Sequence, residues 1–354
     1  MEIEIVYSKV HKVIPLRISG EEEASATIAI LKISHTGIDG LGEVVPFSFY
    51  SIDNSWGTLV NWLPKLEVLQ HFSPLQRFQI EEKLTPMKAP VAIRAGVDLA
   101  LHDWLGNAAG LPLFDLFGLR GLPYPDTSLT IGIGTPEYAV SRMQSWLKLG
   151  PTRLWKVKLG SPDGLDADKA MFAALAKQVD GTSAKIYVDA NGGWTQEDAL
   201  HMANWLKDYG VLFIEQPLAR GEEKMLGGLT DQSALPIYAD ESCLHSQDMQ
   251  DLITGAKAGC DGINIKLSKC GGISEALRMI VLARHHNLKV MLGCFSNTIL
   301  GNSAAAHISS LVDYVDLDSH LNLKDDPFTG GAKWIDGCIV PNQRPGLGVE
   351  FPSL

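Results

Sequence analysis

Eight short apolar runs, each about 25 residues from the next, set the strongest limit on how this 354-residue chain can fold. They are Leu129–Ile133, Leu154–Leu159, Ile186–Asp189, Leu212–Glu215, Ile237–Asp240, Gly262–Leu267, Val290–Gly293 and Tyr314–Asp318. Amphipathic helical segments lie between them. A βα unit needs about this length, and eight such units close a parallel barrel. The chain is therefore expected to be of the α/β class, with a barrel catalytic domain over residues 126–324.

The part before the barrel reads differently. Glu2–Tyr7 and Ala24–Ile33 alternate like strands. Ser55–Leu69 and Leu75–Leu84 look helical, and Pro90 opens a further helix with apolar residues at Val97, Leu101, Trp104 and Leu105. This predicts an α+β domain over residues 1–125. After Asp318 no further helix is evident, and the Gly- and Pro-rich segment 325–354 is expected to wrap back and complete the first domain.

Composition narrows the function. The net charge of -11 argues against nucleic acid and against an anionic membrane surface as partners. Five cysteines occur and none forms a CxxC pair, which fits a reducing cytoplasmic setting without a zinc site. The first residues carry no basic stretch followed by an apolar run, and no later run is long enough to span a bilayer.

The chemistry lies at the C-terminal ends of the apolar runs, where barrels build their active sites. Lys158, Asp189, Glu215, Asp240 and Lys266 follow one another at intervals of 31, 26, 25 and 26 residues. That is one charged residue per βα unit, at the same end of otherwise apolar strands. Taken singly, each acid could cap a helix or pair with a lysine. Three carboxylates in register suit Mg²⁺, which prefers hard oxygen ligands. Lys158 and Lys266 would face each other across the barrel mouth. Nearby cations disfavour an ammonium, so such lysines can act as bases. Two of them on opposite faces of a planar enolate would remove a proton on one side and return it on the other. Lys156 points the same way as Lys158. Asp316 and Asp318 also share one side of a strand and suit a substrate ammonium.

The motifs KxK (156–158), DxN (189–191), EQP (215–217), DES (240–242) and KxxKxGG (266–272) together resemble the enolase superfamily, in its muconate-lactonizing subgroup and, within that, the dipeptide epimerases. Gly42-Glu43 and Pro46 are similar to that family's capping loop over the site. The resemblance implies a (β/α)7β barrel, a modified TIM barrel, under an N-terminal α+β capping domain. It implies Lys158 and Lys266 as acid/base catalysts, Asp189, Glu215 and Asp240 as Mg²⁺ ligands, and Lys156 as a contact of the substrate carboxylate. Asn191 and Glu241 would support them from behind, Glu241 beside Lys266. Asp316 and Asp318 would bind the free α-amino group of a dipeptide. The segment Ser319-His320 departs from the family's small residue and Pro.

The implied reaction is Mg²⁺-dependent epimerisation of a dipeptide at its C-terminal α-carbon. The segment Glu21, Glu22 and Glu23 stands where substrate choice is made, with no Arg at that place although Arg17 lies just before, so a cationic or neutral side chain is expected over Glu. Homologous barrels commonly assemble, and a homo-oligomer is expected. Alternatives in the same subgroup are o-succinylbenzoate synthase, N-acylamino acid racemase and muconate cycloisomerase. Outside it stand a Schiff-base lyase using Lys266 and a non-catalytic barrel.

Overall fold

A computed structural model describes residues 1–47, 52–253 and 259–352, with the side chain of Ile52 outside the description. Its first unit is a three-stranded antiparallel sheet of β1 (Glu2–Ile18), β2 (Glu21–His35) and β3 (Ile38–Val44). β1 runs well past the expected end at Tyr7. Its pairing with β2 shifts register between His11 and Leu16, where Pro15 cannot donate to the ladder. The segment Glu21–Glu23 opens β2 just past the tip of a hairpin, with Ile18 opposite Glu21 and Gly20 at φ 79°.

Against this sheet pack α1 (Trp56–Trp62), α2 (Arg77–Leu84) and α3 (Val91–Ala109). The expected helix through Leu69 tightens into a 3₁₀ segment over Leu63–His71, where Pro64 interrupts the backbone donors. β3 and α3 approach closely enough that a Cβ on Gly42 would stand 1.9 Å from the Gly96 carbonyl oxygen. That contact brings Glu43 to the rim of the barrel.

The short α4 (Leu113–Leu116) leads into the barrel. Its strands are β4 (Leu129–Ile131), β5 (Leu154–Lys158), β6 (Lys185–Asp189), β7 (Ile214–Glu215), β8 (Ile237–Ala239), β9 (Gly262–Lys266), β10 (Lys289–Gly293) and β11 (Tyr314–Asp316). They pair in sequential order, all parallel. A bridge between Thr127 and Val315 links the last strand to the first. The connecting helices are α5 (Pro136–Leu147), α6 (Leu165–Val179), α7 (Gln196–Lys207), α8 (Glu223–Gln232), α9 (Ser246–Ile253), α10 (Leu267–Cys270), α11 (Ile273–His285) and α12 (Ile299–Ala306). Among the described residues no helix longer than the 3₁₀ turn Ser319–Asn322 follows β11; the chain continues in four short strands, Thr329–Gly330, Lys333–Ile335, Cys338–Val340 and Val349–Glu350.

The N-terminal end of the barrel is filled by stacked rings. Phe213 lies 4.5 Å from Tyr187 and 4.1 Å from Tyr238 between ring centres, with Leu154 and Met291 beside them. The chain end crosses back to the first unit. The Leu347 N–H donates to Asp103 Oδ1 of α3 at 2.6 Å, and the Lys324 N–H donates to the His11 carbonyl at 2.9 Å. Among the described residues no helix is long and apolar enough to cross a membrane.

Candidate active site

Strand register sets the site. Lys158 pairs with Asp189 and Asp189 with Glu215, so three neighbouring strands present a charged residue at one level. On the other side of the barrel Gly293 pairs with both Lys266 and Asp316, which puts those two at one level too. The chain turns sharply just beyond two of the acids. Asn191 (φ 43°) and Gln216 (φ 37°) hold the left-handed conformation that non-glycine residues avoid, a strain typical of functional sites.

Asp189, Glu215 and Asp240 are buried, and each offers a carboxylate oxygen within 4.8 Å of the others. Lysines surround them. Lys158 Nζ donates to Asp189 Oδ2 at 2.6 Å and to Asn191 Oδ1 at 2.9 Å. Lys266 Nζ donates to Asp240 Oδ2 at 2.7 Å, and Lys269 Nζ to Asp240 Oδ1 at 2.5 Å. Lys156 Nζ lies 2.9 Å from Asp189, Glu215 and Asp316 alike.

The pKa shifts follow from this crowding. Burial opposes the charged form of Asp189, but Lys156 and Lys158 bring it down to about 2. Burial likewise opposes a charged Asp240, and Lys266, Lys269 and Lys156 hold it well below the usual carboxylate range. Glu215 goes the other way: burial and the charge of Asp189 push it up to about 8 despite Lys156. Its Oε1 accepts from Asn264, while its buried Oε2 has the Lys156 ammonium 2.9 Å away as ion-pair partner. Burial would lower Lys266, but Asp240 outweighs that and holds it above its ordinary value. Three buried carboxylates whose oxygens converge within 4.8 Å offer the hard donor set that a divalent cation such as Mg²⁺ prefers.

The other expected residues fall around this centre. Asn191 donates to Glu241 Oε1 at 2.8 Å, and burial together with Asp240 raises Glu241 to about 7. Asp316 and Asp318 are treated unequally. Asp316 accepts from Lys156 and, at 2.7 Å, from Ser128 Oγ. Asp318 accepts the Thr130 N–H at 2.6 Å and meets no cation at ion-pair distance among the described residues. Burial and the charge of Asp316 raise it to about 6. The departure at Ser319-His320 is accommodated by Asn302, which bonds Ser319 Oγ at 2.9 Å and His320 Nδ1 at 2.7 Å.

Lys156, Lys158, Lys266, Asp316 and Asp318 line one cavity of about 1370 Å³, its open mouth included. The hairpin tip roofs it. Because strand residues alternate sides, Glu21 and Glu23 face the cavity while Glu22 pairs with Arg17 on β1. Glu23 is already neutralised: its Oε2 accepts from Lys12 at 2.9 Å and from Ser296 at 2.7 Å. Arg17 lines a separate cavity beside Asp168. Apolar walls come from Ile18, Phe47 and Phe295, the two phenyl rings stacked 5.1 Å apart. Sequence reasoning assigned no role to Lys269, Asn264, Ser128, Thr130 or Lys12. Lys269 alone had a signal, as the second lysine of the KxxKxGG motif.

Comparison with known proteins agrees over the whole length. Residues 1–118 match the mandelate racemase/muconate lactonizing enzyme N-terminal domain, and residues 139–353 match the enolase C-terminal domain-like family. A hydrophobic dipeptide epimerase of a Flavobacteria bacterium is 43% identical over 80% of each chain. One of Roseobacter litoralis is 45% identical over 73% of each. The crystal structure of a dipeptide epimerase from Enterococcus faecalis, complexed with Mg and the dipeptide L-Leu-L-Tyr, superposes with a TM-score of 0.91 at 30% identity, covering 98% of both chains.

Proposed function

The chain belongs to the mandelate racemase/muconate lactonizing enzyme family of the enolase superfamily, and on that premise we propose that it is a Mg²⁺-dependent dipeptide epimerase acting at the α-carbon of the C-terminal residue. The observation that carries the reading is one cavity holding Lys158 and Lys266 near a three-carboxylate cluster, with Asp318 at its other end.

In this reading Asp189, Glu215 and Asp240 would hold the metal, which would supply positive charge to stabilise an enolate. Lys156 adds its own charge beneath the substrate carboxylate while pinning Asp316. The dipeptide ammonium sits against Asp318, with Asp316 beside it. This fixes the C-terminal α-carbon between Lys158 and Lys266. One lysine, neutral, takes the α-proton and the electron pair delocalises into the carboxylate as an enolate. The other, as ammonium, delivers a proton to the opposite face and inverts the centre. Asn191 and Glu241 position Lys158 and the acids around it.

Asp318, with no cation at ion-pair distance among the described residues, favours a free ammonium over the acylated amine of an N-acylamino acid racemase. For the C-terminal side chain, the apolar walls of Ile18, Phe47 and Phe295 and the neutralised Glu23 favour a neutral residue, with Glu disfavoured beside Glu21. The five free cysteines support a reducing cytoplasmic setting. The exposed Phe78 and Val281 support a homo-oligomeric state, which sedimentation would read.

The test is incorporation of deuterium from D₂O into the C-terminal α-carbon of L-Ala-L-Leu with appearance of L-Ala-D-Leu. Lys158→Ala and Lys266→Ala are each expected to slow epimerisation by ~10²–10⁴-fold. Undiminished exchange in both variants, or faster turnover of Ala-Glu than of Ala-Leu, contradicts the corresponding part of the proposal.

A further inference from the structure

We propose that Arg142, where it lines the cavity, binds the side chain of the dipeptide's first residue, and that this subsite selects an acidic one. The inference rests on the dipeptide reading above.

Arg142 lies on α5, on the flank of the cavity beyond Asp318. It is 7% exposed, and its guanidinium stacks 4.0 Å from the centre of the Trp146 ring. Trp146 is itself fixed, donating from Nε1 to the Thr130 carbonyl at 2.8 Å. The N–H of the same Thr130 holds Asp318. One residue of β4 thus ties the guanidinium platform to the expected ammonium site. Leu16 of the hairpin lines the same cavity.

Charge balance says what belongs there. Asp316 is met by Lys156, which leaves Asp318 seeking one cation. Arg142 has no hydrogen-bond acceptor and no carboxylate at ion-pair distance among the described residues, although the more distant Asp318 acts on it electrostatically. A buried guanidinium needs an acceptor, and a planar carboxylate is the group its fork fits best. The first residue of a dipeptide bears its ammonium and its side chain on one carbon. An acidic first residue therefore offers a cation to Asp318 and an anion to Arg142 from a single branching point. The Trp146 stack limits the guanidinium's freedom, so little order is lost when the anion arrives.

The experiment compares kcat/KM for L-Glu-L-Leu and the isosteric L-Gln-L-Leu, using the full chain with Mg²⁺. The ratio does not depend on how much of a preparation is folded. The wild type is expected to favour the acid by ~10-fold or more, because a charge-assisted bidentate contact is about twice as strong as a neutral one. Arg142→Met brings the ratio to about one or below, and Arg142→Lys retains part of it. A wild-type ratio at or below one overturns the proposal. So does an unchanged ratio in Arg142→Met, which would leave Arg142 as packing for Trp146 or support for Asp318. L-Ala-L-Leu is run alongside. If it is epimerised while the ratio fails, only the subsite falls; if no dipeptide is epimerised, the epimerase reading falls with it.

Discussion

Replacing Asp318 by Asn separates a dipeptide epimerase from its N-acyl relatives. The side chain is 7% exposed and accepts the Thr130 N–H at 2.6 Å, a bond that an Asn oxygen can keep. What is lost is the charge facing the ammonium. A hydrogen bond to a charged group contributes ~1.5–3 kcal/mol and a neutral one ~0.5–1.5 kcal/mol, so the loss is ~1–2 kcal/mol, or roughly 5- to 30-fold. The ratio of kcat/KM for L-Ala-L-Leu to that for its N-acetyl derivative is expected to fall by this factor. The pH profile gives a second reading. Burial, and then the charge of Asp316, raise Asp318 to about 6. Below that pH the free enzyme carries it protonated and without charge. The wild-type kcat/KM therefore falls below pH about 6 to a plateau ~5- to 30-fold lower, and Asp318→Asn lacks that step. A variant with an unchanged substrate ratio and the same acid limb refutes the assignment of Asp318 to the ammonium.

Other consequences are equally direct. Chelation by EDTA is expected to abolish turnover, and Mg²⁺ at about 100 times its dissociation constant to stabilise the fold by ~2.7 kcal/mol in denaturant melts, a gain absent in Asp189→Ala. Lys269→Met removes one of Asp240's buried cations while Lys266 stays bonded to it, and is expected to cost ~1.5–3 kcal/mol, read as a lower urea midpoint. Gly301→Ala puts a methyl 2.1 Å from Glu43 Oε1 and 2.5 Å from Asn297 Nδ2, where the first unit meets α12. It is expected to destabilise by ~1–3 kcal/mol, and by less when Glu43→Ala is present, since the two share one contact.

The centre of the site was legible because the barrel gives its strand ends a fixed spacing. Packing alone does not place a charge once per βα unit at the same end of buried strands, so Lys158, Asp189, Glu215, Asp240 and Lys266 stand out in the bare sequence. Residues outside that rhythm do not. Lys269 acts from the helix after its strand, and Arg142 sits on an amphipathic helix where a charged residue is unremarkable. The hairpin was hidden for a local reason. Pro15 breaks the ladder, yet β1 resumes beyond it as far as Ile18 and pairs there with β2, whose Glu21 and Glu23 line the cavity. The inequality of Asp316 and Asp318 needs three dimensions, because the lysine that neutralises the first lies 160 residues away.

The stacked rings of Tyr187, Phe213 and Tyr238 stopper the barrel at the end opposite the lysines. Among the described residues, solvent protons reach the reacting centre through the cavity mouth that the hairpin tip lines. Whatever seals that tip over a bound dipeptide also decides how often a proton lifted from one face is replaced by one from water. The same short piece of chain that screens side chains would then set the isotope content of the product.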